Sequence, residues 1–350
     1  MLKLSFYESG NGETIIITFP NGGIGIVDAH PSKSGTRPDI LKLTENKKIH
    51  FVCLTHPHKD HGLDIVKILE NHPDIGVFWH TVSDVLVLAF SSQESPNYPN
   101  YPSDCRNEIT NIRKGWAEFL IDLFGAVIEK NIPYSQVRSE VKPKNIDGVD
   151  IHFLSPDESI NQKYIATYRR SFMDAKIHVP NANLLSGILA LKYGKVCILL
   201  GGDAISENWR KASRLFFELK LPKAQIIKIP HHGAKDALEI NPPVHEHNYL
   251  EICNSNPKAK SILFAGDSKH PNPKVFGKII NRTEITCLSN GLKANNHNTN
   301  PLNIMISGAH AVTSARICNP DITYTIDDMG IINQLTGRCD NTCNAFSRTE

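Results

Sequence analysis

The chain has 350 residues, 40% of them hydrophobic and 21% charged, with a formal net charge of +2. This is the composition of a soluble globular protein long enough for a large core, and the near-neutral balance excludes a general electrostatic attraction to nucleic acid or membrane. No stretch approaches the roughly 20 apolar residues of a membrane helix, and no basic segment followed by an apolar run opens the chain, so a cytoplasmic protein is expected.

In chain order, Leu2–Tyr7, Thr14–Phe19 and Ile24–Val27 read as strands, joined by Gly10-Asn11-Gly12 and Asn21-Gly22-Gly23. Phe51–Leu54 reads as a buried strand, Leu63–Leu69 as an amphipathic helix and Ile75–Trp79 as a further strand. Residues 81–145 change character. Ser91–Pro102 is polar and proline-rich, and Ile112–Glu129 has helical spacing through Trp116, Phe119, Leu120, Leu123 and Ile128. This region is read as a helical insertion near the mouth of a site.

Val149–Leu154 is an alternating strand, and residues 157–180 are polar and basic, with Lys163, Arg169, Arg170 and Lys176. Leu184–Leu191 and Val196–Leu200 form a strand pair, Glu207–Lys220 a helix and Ala224–Ile229 a strand. Ser261–Phe264, the short helix Pro273–Ile280 and the strand Ile322–Ile326 follow. Two successive strand-rich halves, each with helices, predict a layered α/β architecture, with one domain over 1–325 and a tail over 326–350. Of the eight cysteines, Cys53 and Cys197 lie in apolar runs and read as buried hydrophobes. Cys318, Cys339 and Cys343 read as free thiols, with a metal or a disulfide as the alternative.

The segment Thr55-His56-Pro57-His58-Lys59-Asp60-His61-Gly62 carries three imidazoles and one carboxylate within six positions. Neutral imidazole nitrogen with carboxylate oxygen suits Zn²⁺, Mn²⁺ or Fe. A strand before and a helix after place these residues on a turn that aims several ligands at one point. Pro57 biases His56 toward extended geometry, which keeps His56 and His58 on one side.

Asp203 ends an apolar strand behind Gly201-Gly202, placed either to bridge two cations or to cap the following helix. His231-His232-Gly233 ends another strand. Adjacent residues on extended backbone face opposite sides, so His232 is expected to ligate and His231 to face the substrate. Asp28 is expected to orient a ligand imidazole from behind. His270 and Lys235 are expected to contact substrate. The other histidines, His30 among them, read as surface or packing residues.

His56-Pro57-His58-Lys59-Asp60-His61 resembles the H-x-H-x-D-H signature of the metallo-β-lactamase fold superfamily. SFYESGNGETIIITFPNGGIGIVDAH, LLSGILALKYGKVCILLGGDA, IIKIPHHGA and SKHPNPKVF are similar, in the same order, to motifs of the domain fused to bacterial DNA-uptake (competence) channels, with Asp28 at the aspartate that ends the first motif. The resemblance implies a four-layer αββα sandwich with a two-metal site at one edge, holding Zn²⁺ or Mn²⁺. Carried over by position, His56, His58 and Asp203 would hold one metal. Asp60, His61, Asp203 and one of His231 and His232 would hold the other. Hydroxide between the metals would be the nucleophile, with Asp60 and His231 taking part in the chemistry.

Three residues depart from the pattern. Asn181 and Asn183 stand in the segment where many relatives carry a further ligand histidine, His30 where relatives often have glycine, and Ala234 where the DNA-uptake branch usually shows serine. The expected activity is that of a phosphodiesterase or nuclease on nucleic acid or a nucleotide, with the basic residues of 163–176 and Lys235 meeting phosphate. The alternatives are a carboxylic-ester, thioester or lactone hydrolase with Trp116 and Phe119 lining an acyl pocket, or a non-catalytic subunit that uses the insertion and tail to bind a protein partner.

Overall fold

The computed structural model describes residues 1–7, 9, 12–32, 38–82, 118–173, 181–238, 248–265, 270–289 and 321–336. Its strands are β1 (Leu2–Tyr7), β2 (Thr14–Thr18), β3 (Ile24–Val27), β4 (Ile49–Leu54), β5 (Phe78–His80), β6 (Tyr134–Gln136), β7 (Lys144–Ile146), β8 (Val149–Ser155), β9 (Ile188–Tyr193), β10 (Val196–Leu200), β11 (Ile226–Lys228), β12 (Ala259–Ala265), β13 (Thr283–Ser289), β14 (Asp321–Ile326) and β15 (Ile332–Thr336).

They form two mixed sheets. The first has the order β15-β14-β1-β2-β3-β4-β5-β6, the second β13-β12-β11-β10-β9-β8-β7. Each combines an antiparallel part with a parallel part. β3 to β6 run parallel in the first sheet and β10 to β13 in the second.

The apolar residues alternate with period two on strands covered on both faces. Leu2, Leu4, Phe6, Ile15 and Ile17 meet Ile151, Phe153, Leu189, Leu191, Ile198 and Leu200 between the sheets. The opposite-facing Ile16, Ile24, Ile26 and Val52 pack on Ile65, Ile68 and Leu69 of the helix Lys59–Asn71, and on Phe119, Leu120 and Leu123 of a helix over 118–129. On the other side Ala190, Cys197, Leu199 and Ile227 pack on Trp209, Ala212 and Phe216 of the helix Ser206–Glu218, and on Val275, Phe276 and Ile279 of the helix Pro273–Arg282. Three apolar interfaces between four layers make this an αββα sandwich. Each fully buried aliphatic side chain contributes about 1.5–3 kcal/mol, so the layering rests on burial rather than on propensity.

Local sequence sets the helix starts. Asn272 accepts from Lys274 N and Val275 N, with Pro273 in the first turn, as its missing N–H permits. The helix that follows the histidine turn begins at Lys59, so Asp60 and His61 lie in its first turn rather than before it.

The segment read as a helical insertion is woven into both sheets. Residues 83–117, with Trp116, lie outside the described residues, but β6 extends the first sheet and β7 the second. The expected strand over Leu184–Leu191 is broken. Ala182–Leu185 form a short 3-10 turn before β9 begins at Ile188. Polar residues 157–180 contain the helix Glu158–Met173, with 174–180 outside the described residues. The expected tail contributes β15, antiparallel on β14. Cys318, Cys339 and Cys343 lie outside the described residues; Cys53, Cys197 and Cys253 are buried and free.

Candidate metal centre

Four strands end at one rim. Just beyond the carboxyl ends of the parallel strands β3, β4, β10 and β11 come Asp28, Thr55-His56, Asp203 and His231-His232, where α/β sheets generally place their sites. Backbone hydrogen bonds tie these ends together. Asp28 N donates to Cys53 O at 2.9 Å, Ala29 N to His61 O at 2.9 Å and His231 N to Gly202 O at 3.1 Å. Gly202 permits the approach. It has φ +46°, and a side chain there would fall 2.5 Å from Thr55 Oγ1.

His231 and His232 do not continue the strand. Both have positive φ, 46° and 50°, so the backbone turns and both imidazoles face Asp203. Two consecutive non-glycine residues in the left-handed region cost about 1–3 kcal/mol each, a strain characteristic of functional sites.

Asp203 lies at the focus. His61 Nε2 and His56 Nε2 are 3.6 and 3.9 Å from its Oδ2, His231 Nε2 is 3.9 Å from the same oxygen, and His232 Nε2 is 3.8 Å from Oδ1. His58, half-buried, places Nδ1 3.0 Å from His56 Nε2. Asp203 does not cap the next helix; Ile205 holds the N-cap position.

Behind the imidazoles a second set of hydrogen bonds fixes their orientation. Asp28 Oδ2 lies 2.7 Å from His61 Nδ1 and accepts the Thr55 hydroxyl at 2.7 Å, while Oδ1 accepts Thr55 N at 2.8 Å. With its proton committed to Asp28, the Thr55 oxygen accepts from His56 Nδ1 at 3.1 Å. His232 Nδ1 donates to Phe264 O at 3.1 Å, and His231 Nδ1 donates to Asp236 Oδ1 at 2.8 Å. All four imidazoles thus use Nδ1 for support and present Nε2 to Asp203, the usual arrangement of metal-ligating histidines.

Burial pushes the His56 and His58 pKa values down, and neighbouring imidazoles add to this. Burial likewise brings His232 down to about 4, against the pull of Asp203. Burial also opposes charge on His61, but Asp28 and Asp203 outweigh it and hold its pKa well above the ordinary value. For Asp203 burial favours the neutral form, and His61 and His232 overcome it, so the carboxylate stays ionised.

The other expected site residues are less central. Asp60 is half-buried near His58 and His30, whose pKa values burial lowers against the pull of its carboxylate. It is not among the four residues, Glu13, His61, Asp203 and His232, whose ligand atoms lie within 4.8 Å of one another. His270 is half-buried with its ring 5.6 Å from that of His231, and Lys235 is exposed at the start of a short helix, Lys235–Leu238. Lys163 is held by Glu207 at 3.0 Å. His30 packs its Nδ1 against Ser9 O at 3.0 Å. Phe119 is a core residue under the site helix, its ring 2.3 Å from where a Gly62 side chain would begin.

Sequence reasoning missed Glu13, Thr55, Lys228 and Asp236, and saw Asn183 only as a replacement. Asn183 Nδ2 lies 3.3 Å from His231 Nε2. Lys228 did leave a signal, a lysine inside the apolar run Ile226-Ile227-Lys228-Ile229. Glu13 left none, being one polar residue in a turn.

A divalent cation fits this donor set. Glu13 Oε2, His61 Nε2 and Asp203 Oδ1 are buried without a hydrogen bond. Such atoms cost about 1–3 kcal/mol each unless something partners them, and a cation suits two carboxylates and an imidazole nitrogen.

No family model matches the chain, and no curated protein matches it. Among solved structures it is similar to Igni18, a metallo hydrolase from Ignicoccus hospitalis, with TM-score 0.41 and 10% identity over 82% of this chain and 95% of that one. It is similar also to Zn²⁺-bound PqqB from Methylobacterium extorquens, with TM-score 0.42 and 9% identity over 83% and 99%. A diphosphatase of the PhnP family gives TM-score 0.35 and 13% identity over 81% and 94%. The two mixed sheets packed face to face, with helices on both outer sides, form the αββα layering of the metallo-β-lactamase fold.

Proposed function

We propose that the protein is a two-metal hydrolase of phosphodiesters, acting on nucleic acid or a nucleotide. The observation that carries this reading is Asp203 with four imidazole Nε2 atoms 3.6–3.9 Å from its two oxygens. A carboxylate so placed can bridge two cations. His56, His58 and Asp203 form one ligand group; His61, Asp203 and His232 form the core of the other, with Asp60 at its margin.

Divalent ions held by these residues, Zn²⁺ or Mn²⁺, would lower the pKa of water and offset negative charge on the phosphate. The side chains do the rest. His232, buried and held by the Phe264 carbonyl, is suited to ligation. His231, more exposed and held by Asp236, is suited to donating a proton to a leaving oxygen. Its pKa is raised; burial works against the shift, but Asp236 and Asp203 prevail. His270, its ring 5.6 Å from that of His231, and Lys235 are the residues proposed to meet the phosphate.

Phe119, offered as an acyl-pocket residue, is buried in the core, which favours a phosphodiester over an apolar ester. Incubating the Mn²⁺- or Zn²⁺-loaded protein with DNA, RNA and cyclic nucleotides tests the substrate class, and cleavage of at least one is expected. Turnover of a carboxylic ester or lactone with none of these cleaved overturns it.

A further inference from the structure

Glu13 immediately precedes β2 and is fully buried beside the candidate metal centre. Gly12, next to it, packs against the start of the site helix. A side chain at Gly12 would fall 2.0 Å from Asp60 O and 2.5 Å from His30 Cβ, so only glycine permits this approach.

One Glu13 carboxylate oxygen then lies within 4.8 Å of ligand atoms on His61, Asp203 and His232. Below it stands Lys228, on the same face of β11 as the inward Ile226 and also fully buried. Lys228 Nζ forms an ion pair with Glu13 Oε1, donates to Gly202 O at 2.7 Å and lies 3.8 Å from Asp203 Oδ1. A lysine buried there is tolerated only with such partners.

Two buried carboxylates, Glu13 and Asp203, thus share one lysine, and Glu13 Oε2 is left without a hydrogen bond. A buried carboxylate with an oxygen in the ligand group thus keeps hydrogen-bonding capacity that no protein group fills.

We infer that Glu13, just before β2, is a metal ligand to the ion held by His61, Asp203 and His232, with Lys228 holding its carboxylate in place through their ion pair. This rests on the reading of the cluster as a metal centre and adds to it a carboxylate far from the histidine turn in sequence. It also explains how that half of the centre is completed although Asp60 lies outside the tight group.

Calorimetric titration of the full chain with Mn²⁺ tests the inference, using wild type, Glu13→Gln and Glu13→Gln/Lys228→Met, with near-ultraviolet circular dichroism as the check on folding. Ligation predicts that Glu13→Gln binds one ion about tenfold or more weakly, and that the double variant stays weak although its buried charges again balance. If Glu13 serves only as the counter-ion of Lys228, the double variant returns to wild-type affinity, which overturns the inference. Wild-type affinity in Glu13→Gln overturns it equally. Should Glu13→Gln not fold because Lys228 is left unpaired, the double variant alone decides. A wild-type chain that binds neither Mn²⁺ nor Zn²⁺ overturns the metal-centre reading itself, a distinct result.

Discussion

Asp28 accepts the Nδ1–H of His61 at 2.7 Å and reaches His56 through the Thr55 hydroxyl, so one buried carboxylate orients two imidazoles. Asp28→Asn removes the charge and leaves the amide oxygen to serve only one of them. Metal affinity is expected to fall about 10–100-fold, read by titration with Mn²⁺ or Zn²⁺. Thr55→Val breaks only the His56 branch and is expected to weaken the ion on that side alone.

The two adjacent histidines should separate by readout. His232→Gln removes a buried donor aimed at Asp203 and is expected to cost bound metal, measured by elemental analysis after gel filtration. His231→Gln is expected to leave metal content unchanged and to lower kcat about 10²–10⁴-fold, the range for a lost general acid or base. Metal loss in both variants would mean that His231 is itself a ligand.

Gly62 illustrates two opposing effects on the site helix. Glycine to alanine within a helix normally gains up to about 1 kcal/mol. Here the new methyl would start 2.3 Å from the Phe119 ring, and overpacking of that kind costs about 1–3 kcal/mol. Gly62→Ala is therefore expected to destabilise the protein in urea unfolding. In a Phe119→Leu background the same change is expected to be neutral or stabilising.

Stability should fall on mild acidification. Burial, only partly offset by the Nδ1–H bond to Val82 O, brings the His80 pKa down to about 4 from 6.5. The unfolded chain takes up a proton near 6.5 and the folded protein only near 4, so this contribution is fully present above pH 6.5 and is lost as pH falls toward 4. The gap is worth about 3 kcal/mol. Metal-free His232, also brought down to about 4, acts in the same direction. His80→Phe should flatten the His80 part of the decline, measured as unfolding free energy against pH.

Much of this centre was legible because its residues sit in short, dense motifs at strand ends. His56, His58, Asp60 and His61 fall within six positions, and Asp203 and His231-His232 each follow an apolar strand and adjoin glycine. What was hidden is what folding brings in from elsewhere. Glu13 and Lys228 meet across the sandwich although 215 positions separate 13 from 228. The left-handed turn at His231-His232 was equally invisible, since two consecutive non-glycine residues at positive φ leave no mark in the sequence pattern. Edge strands such as β6 (YSQ) and β15 (INQLT) were missed because they are largely exposed and lack the apolar alternation that marks a half-buried strand.

The most direct test of the central claim is hydrolysis of bis(p-nitrophenyl) phosphate by the Mn²⁺-loaded chain, with metal content measured on the same samples, for wild type and Asp203→Asn. If Asp203 bridges two ions, wild type cleaves the diester with both metals bound, and Asp203→Asn loses metal and activity together. An Asp203→Asn protein that keeps wild-type metal content and wild-type cleavage contradicts the account.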